Sequence, residues 1–426
     1  MAAPVISSNP ADIGPPRATA YGWLVFALCF GLLISDYMAR QVLNAVFPLL
    51  KVQWQLSDTR LGLLAGTVPV IVGLLTLPLS IAADRFGRVR SLTAMALLWS
   101  LATLLCAAAT SYFPMLLGRA LVGVGEAAYG SVGIAVVISV FPARLRATLS
   151  AAFLAGSLFG QIIGVALGAG IAAAHGWRAA FVAIGLGGLV LALLCPLILR
   201  EKRIAALAQT VPVQPALRPA IPLRTLYASR SVRLTYLAGG LQMFAVGALP
   251  AWLPSYLGRY HHLPLDRAGQ VTALLLLACG TGMILCGGLS DRLSRYAPTR
   301  KIDLAIGYCL GSAALLTLAL QLPPGTAQLV LLGCAMFLIA GTTGPAGAMV
   351  AGLTPPIVHG SAFAALTLAY NLLGLAPGPI LTGRIADSVG LLHAFQLLPL
   401  ASLAAALVFT ALRRDYLTDL AAVTAG

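Results

Sequence analysis

Apolar runs of membrane-spanning length recur twelve times along the chain, separated by short polar, proline- and glycine-bearing stretches. Their approximate cores are 21–48, 61–82, 92–110, 114–140, 149–173, 178–199, 233–257, 268–289, 303–321, 327–352, 361–383 and 391–412. About 20 apolar residues in a helix cross the hydrocarbon of a bilayer. The runs are continuous rather than alternating, so they read as helices and not as strands of a barrel. Several exceed the minimum length, which implies tilt or protrusion. The predicted fold class is an all-α polytopic membrane protein with twelve transmembrane helices.

The pattern repeats. Asp84-Arg85-Phe86-Gly87-Arg88 follows segment two, and Asp291-Arg292-Leu293-Ser294-Arg295 follows segment eight. Asp58 and Asp266 open the same two segments, and Phe181 and Phe395 lie at the starts of segments six and twelve. The offsets are 207, 208 and 214 residues, which points to two six-helix bundles related by duplication. The expected organisation is an N-terminal tail (1–20), a first bundle (21–199), a linker (200–232), a second bundle (233–412) and a C-terminal tail (413–426).

Composition narrows the class. Of 426 residues, 59% are hydrophobic and 9% charged, far from the quarter expected of a soluble domain. The net charge of +15 would suggest nucleic acid in a soluble protein, but the loops account for it. With the N-terminus inside, nineteen Lys and Arg lie on the cytoplasmic side and six on the outer side. That bias sets both termini in the cytoplasm and removes the need for a nucleic-acid partner. The N-terminal stretch has no basic n-region, so no cleavable signal peptide is expected. Seven cysteines sit inside apolar runs without a CxxC pair and read as small core residues. No HExxH, GxSxG or P-loop occurs, and no cluster of metal ligands. An enzyme, a cofactor and a metal are therefore not expected.

Four charges lie within the membrane: Asp36 and Arg40 in segment one, Arg119 and Glu126 in segment four. Each costs at least ~3 kcal/mol at bilayer depth, so they need partners or water and read as functional. From the cytoplasmic ends of their helices, Asp36 and Glu126 come out near ~22 and ~21 Å, and Arg40 and Arg119 near ~28 and ~31 Å. Asp36 and Arg40 are spaced i, i+4, which places them on one face. The second half has no ionisable residue in mid-segment. Its polar groups are Gln242, Thr281, Thr342, Thr343, Tyr370 and Asn371. Gly123, Gly125 and Gly130 read as sites of close helix packing.

The stretch Leu77–Ser91, LPLSIAADRFGRVRS, resembles the loop motif of the major facilitator superfamily after its second helix. RALVGVGEAAYGS (Arg119–Ser131), GWRAAF (Gly176–Phe181) and NLLGLAPGPILTGRIAD (Asn371–Asp387) resemble the spinster-like branch, as does Tyr37-Met38 followed by Arg40. One position departs: that branch usually carries an aspartate immediately before the arginine of segment one, where this chain has Ala39, and its acid is Asp36.

The resemblance implies a secondary carrier in the bacterial inner membrane, working by alternating access as a monomer. It puts segments one and four around one central cavity. Arg40 would bind an anionic head group, and Glu126 and Asp36 would exchange that partner and take up protons. Arg119 would bind or lock helix four, and Tyr37, Tyr129, Tyr370 and Asn371 would complete the site. It further implies a cytoplasmic latch: Asp84 against the start of segment eleven and Arg144 or Arg146, with Gly87 making the turn and Arg85, Arg88, Asp291, Arg292 and Arg295 forming the gating motif. Charges in one half facing an apolar opposite half suit an amphipathic substrate, lipid-like by resemblance. A small organic anion or a drug, carried with protons, is the alternative.

Overall fold

The computed structural model describes residues 19–201, 203–204, 227, 229–355 and 358–425. Most of the expected N-terminal tail and of the linker lies outside them. Twelve helices among the described residues are long and apolar enough to span a membrane. They are α1 (Ala20–Trp54), α2 (Asp58–Phe86), α3 (Arg88–Ala108), α4 (Tyr112–Ser139), α5 (Arg144–His175), α6 (Trp177–Ile198), α7 (Arg230–Tyr260), α8 (Leu265–Ser294), α9 (Arg300–Gln321), α10 (Thr326–Leu353), α11 (His359–Val389) and α12 (Leu391–Val423). Every apolar core read from the sequence coincides with one of them. Residues 413–425 continue the last helix to Ala425. Asp415 and Asp419 there are tied to Arg230 and to Ser229 and Ser231 at the start of α7.

Local chemistry sets the helix ends. Thr19, Ser57 and Ser229 cap α1, α2 and α7, each accepting from a backbone N–H three residues on. Gly87, Gly176 and Gly390 have φ of 97°, 84° and 89° and turn α2 into α3, α5 into α6 and α11 into α12. A side chain would be strained at each. Gly176 and Gly390 hold equivalent places in the two halves.

An even number of spans puts the start of α1 and the end of α12 on one face. That face also carries the turns after α2, α4, α6, α8 and α10, and most of the basic residues; it is called the basic face below, and the opposite one the far face. The apolar packing differs between them. One continuous core on the far side takes side chains from both bundles, including Phe47, Leu61, Phe181, Trp252, Leu276 and Leu391. Toward the basic face this core splits. One cluster, around Trp99, Tyr129 and Phe153, belongs only to α1–α6 and Ile204 just beyond them. Another, around Tyr236, Met349 and Phe409, belongs only to α7–α12. The bundles are thus packed together at the far face and separate at the basic face.

Three helices are interrupted at mid-depth. α4 breaks between Glu126 and Tyr129. α10 breaks between Ile339 and Thr343, the corresponding place in the second half. Carbonyls near each break are met from outside the helix. The Thr76 hydroxyl donates to Ala127 O at 2.7 Å, and the Gln242 amide to Ile339 O at 2.9 Å. Freed backbone groups at membrane depth need such partners. α11 widens into a π-helical turn at Asn371–Leu375, with Ala376 N donating to Asn371 O. Pro377 follows and has no N–H for the regular ladder.

Candidate functional site

The charged residues of α1 and α4 meet beside a cavity of about 270 Å³ between the bundles. Arg40 Nε lies 2.6 Å from Glu126 Oε2 and 3.8 Å from Asp36 Oδ1. One guanidinium is therefore shared by two carboxylates. Arg40 forms part of the cavity wall, and the acids lie behind it, almost fully buried. Its guanidinium also sits 4.8 Å from the centre of the Tyr37 ring, a cation–π contact. Asp36 sits one turn from Arg40 on the same helix, the i, i+4 relation that puts both on one face.

Arg119 is placed differently. Its Nη1 donates to Ala39 O at 2.9 Å. Its Nε is buried without a partner, and among the described residues it makes no ion pair. It also lines the cavity. The carbonyl it holds is that of Ala39, the position where the spinster-like pattern has an acid. The four charges sum to zero when both acids are ionised.

The other expected residues are distributed unevenly. Tyr37 lines the cavity. Tyr129 is fully buried instead: its hydroxyl donates to Cys29 O at 2.6 Å and its ring meets Trp99 edge-on at 4.9 Å. It holds α4 against α1 and α3. Asn371 donates to Thr367 O, and Tyr370 packs against Gly239 with its hydroxyl unpartnered. Neither is part of the cavity wall, which α11 reaches through Leu375 and Pro379.

The sequence reading missed a group of amides. Gln41, Asn44 and Gln161 line the cavity beside the arginines. The Asn44 amide donates to Gln41 Oε1 at 2.8 Å, and the Gln41 amide to Gln161 Oε1 at 3.4 Å. A signal was present: Asp36, Arg40 and Asn44 are four residues apart and share one helix face. The opposite wall, from α7, α8 and α11, is largely apolar, with Met243, Val246, Leu276 and Leu375.

The far face is closed by polar contacts between the bundles. Asp58 takes Lys51 at 2.6 Å on its own side, and from the other bundle Arg259 with two bonds, at 2.6 and 2.7 Å. Asp387 of α11 accepts from the backbone N–H groups of Asp58 and Thr59, at 2.7 and 2.8 Å, and from the Thr59 hydroxyl. Below them Phe47 and Trp252 pack with ring centres 5.1 Å apart. α2 and α11 approach closely here. A side chain at Gly62, Gly66 or Gly383 would collide with the facing helix.

At the basic face the expected latch residues stand apart. Asp84 is half exposed and pairs with Arg88 of its own motif at 3.1 Å. Arg146 donates to Phe141 O. Among the described residues Arg85, Arg144, Asp291, Arg292 and Arg295 make no ion pair, and a Cβ on Gly360 at the start of α11 would meet nothing within 4 Å. Among the described residues the Asp84 carboxylate has no partner across the interface. The cavity is thus shut toward the far face, and the described residues expected to form a latch at the basic face stand apart.

Two six-helix bundles around a charged central cavity, sealed at one face and parted at the other, define a membrane carrier of the alternating-access type. Residues 28–376 match the family model of the Major Facilitator Superfamily, and the chain belongs to that family. It is a transporter and not an enzyme. It is 27% identical to the gallate transporter of Pseudomonas putida, over 95% of each chain. It is 28% identical to protein spinster homolog 1 of Bos taurus, over 85% of this chain and 72% of that one. The fold matches a bacterial homolog to human lysosomal transporter Spinster, solved in an inward-facing and unoccupied conformation. The TM-score there is 0.82, with 20% identity over 95% of this chain and 99% of that one. The spinster-like resemblance read from the sequence is thus met in both sequence and fold.

Proposed function

We propose that the protein carries a small organic anion with a carboxylate group, coupled to protons, across the bacterial inner membrane. The observation that carries this is Arg119: a buried guanidinium on the cavity wall with no carboxylate of its own. A buried cation is costly until an anion meets it. Arg40, expected to bind the anion, is occupied by Glu126 and Asp36. The cavity volume of about 270 Å³ suits a small solute, since pockets for drug-sized ligands run from roughly 300 to 1,000 Å³. The similarity to a transporter named for gallate supports the same class.

Charge balance gives the coupling. The site is neutral with two acids and two arginines ionised. A bound monocarboxylate adds one negative charge at membrane depth. Protonating Glu126 or Asp36 restores neutrality, so anion and proton move together. The basic face is then cytoplasmic, the state described is inward-facing, and the Asp84 latch forms when the carrier turns outward.

A lipid-like substrate is the second reading, favoured by the apolar α7–α8 wall and the spinster likeness. The test is thermal stabilisation and proteoliposome uptake with benzoate-type acids, hexuronic acids and lysolipids. Stabilisation and proton-driven uptake of the acids alone are expected. Response to lysolipids alone would overturn the anion reading.

A further inference from the structure

The amides on the cavity wall form a chain whose direction is fixed. At one end Gln161 Nε2 donates to the main-chain carbonyl of Ser157 at 3.3 Å. A carbonyl only accepts, so Gln161 turns its nitrogen there and its oxygen toward Gln41. Gln41 then donates to Gln161, and its oxygen accepts from Asn44 Nδ2. The last atom of the relay, Asn44 Oδ1, is an acceptor. Asn44 is 8% exposed, and its Oδ1 is buried with no partner. Each isolated amide is ambiguous between its oxygen and nitrogen, but a chain anchored on a carbonyl is not.

A buried acceptor left unmatched is costly, and the cost vanishes when a donor arrives. Asn44 and Arg119 both face the cavity. Arg119 is fastened to Ala39 O, five residues before Asn44 on α1, which separates the two groups by ~7 Å along the helix. Across the cavity from them lies the apolar wall of the opposite bundle, with Met243, Val246 and Leu276.

We propose that Asn44, oriented by Gln41 and Gln161, is the subsite that accepts a hydrogen bond from a hydroxyl group of the substrate, set across an apolar ring or short chain from the carboxylate held by Arg119. The substrate class is then a hydroxylated carboxylic acid, preferred over its deoxy analogue. This inference rests on the anion reading above and narrows it.

The test measures binding of benzoate, 4-hydroxybenzoate and 4-methoxybenzoate to the purified full-length carrier in nanodiscs. The methoxy compound keeps the oxygen but has no donor. The hydroxy acid is expected to bind about tenfold more tightly than the other two. Asn44→Ala brings the three affinities to within about twofold of one another, the hydroxy acid losing most. Gln161→Leu frees the relay to turn over and also lowers the preference for the hydroxy acid over the other two, which keeps the test decisive if Asn44→Ala folds poorly. Equal binding of all three acids by the parental protein overturns the hydroxyl subsite while the anion reading stands. A uniform loss for all three in both variants makes the relay structural and overturns it too. Binding of no acid, with binding of lysophosphatidylcholine, removes the anion reading and this inference with it.

Discussion

The carboxylate of Asp387, on α11, caps the first turn of α2 at Asp58, in the other bundle. Asp58 N lies 2.7 Å from one oxygen and Thr59 N 2.8 Å from the other. The first N–H groups of a helix have no partner of their own and carry the positive end of its dipole. Here the cap comes from a helix that must move away during transport, so it exists only while the far face is shut. Asp387→Ala should lower the stability of this state by about 1 kcal/mol, the usual value of an N-cap. Spin labels at the exposed Gln55 and Ser388 should then report a longer, broader distance distribution. An unchanged distribution would remove Asp387 from the gate.

Asp58 and Arg259 make the second bond of that gate, and its weight is measurable separately. Arg259 is the only described ion-pair partner of the Asp58 carboxylate from the second bundle; Lys51 belongs to the first. Arg259→Ala should open the far face while leaving Asp58 neutralised by Lys51, so folding should be preserved. A double-mutant cycle with Asp387→Ala should show coupling above about 0.5 kcal/mol, because both contacts meet on Asp58 in one hydrogen-bond network. Strict additivity would mean that the two act independently.

The basic-face latch gives the opposite sign. Among the described residues Asp84 has only an exposed, local pair with Arg88 here, a contact worth about 0–1 kcal/mol. Asp84→Asn should therefore leave this state nearly unaffected and weaken the one in which the bundles close on the basic face. Transport should slow and far-face labels should become less accessible. Parental transport with unchanged accessibility would show that Asp84 is only a turn residue.

The twelve spans were legible because the bilayer imposes one length on each, and hydropathy reports it directly. So were Asp36, Arg40 and Glu126, since a charge at that depth stands out in any apolar run. What neighbours what was not legible. Nothing in segment four says that Arg119 holds Ala39 O while Arg40, on another helix, takes Glu126. The breaks in α4 and α10 depend on Thr76 and Gln242, remote in sequence. Asp58 marked the repeat, but its bond to Arg259 spans 201 residues. Tyr129 and Tyr370 were placed in the site by their neighbours in the motif, and each packs elsewhere.

Orientation is tested independently of all this. The nineteen-to-six bias of basic residues predicts that Met1, the 200–232 linker and Gly426 are cytoplasmic. A single cysteine in the linker, in a background without the native seven, should resist an impermeant thiol reagent in intact cells and react after permeabilisation. Ready labelling in intact cells would invert the orientation and turn this state into an outward-facing one.

The division of labour between the two arginines makes the last prediction. Arg40 contacts Glu126 and Asp36, while Arg119, in the function proposed above, takes the substrate. Glu126→Gln removes one acid and leaves a surplus positive charge in the site. An anion should then bind as well as before or more tightly, and transport should lose its dependence on pH. Arg119→Ala should lose anion binding and fold better than Arg40→Ala, because both acids keep their contact with Arg40. Arg40→Ala strands two acids against one arginine, a lone buried charge that costs roughly 3–5 kcal/mol. It should fold poorly, and Arg40→Ala/Glu126→Gln should fold better than Arg40→Ala alone. The measurements are melting temperature, anion binding and pH-jump uptake in proteoliposomes for all four variants. If Arg119→Ala binds the anion normally while Arg40→Ala/Glu126→Gln does not, Arg40 is the anion site and Arg119 only fixes α4 to α1. If Glu126→Gln keeps the parental pH profile, the proton is carried at Asp36, which shares the same guanidinium.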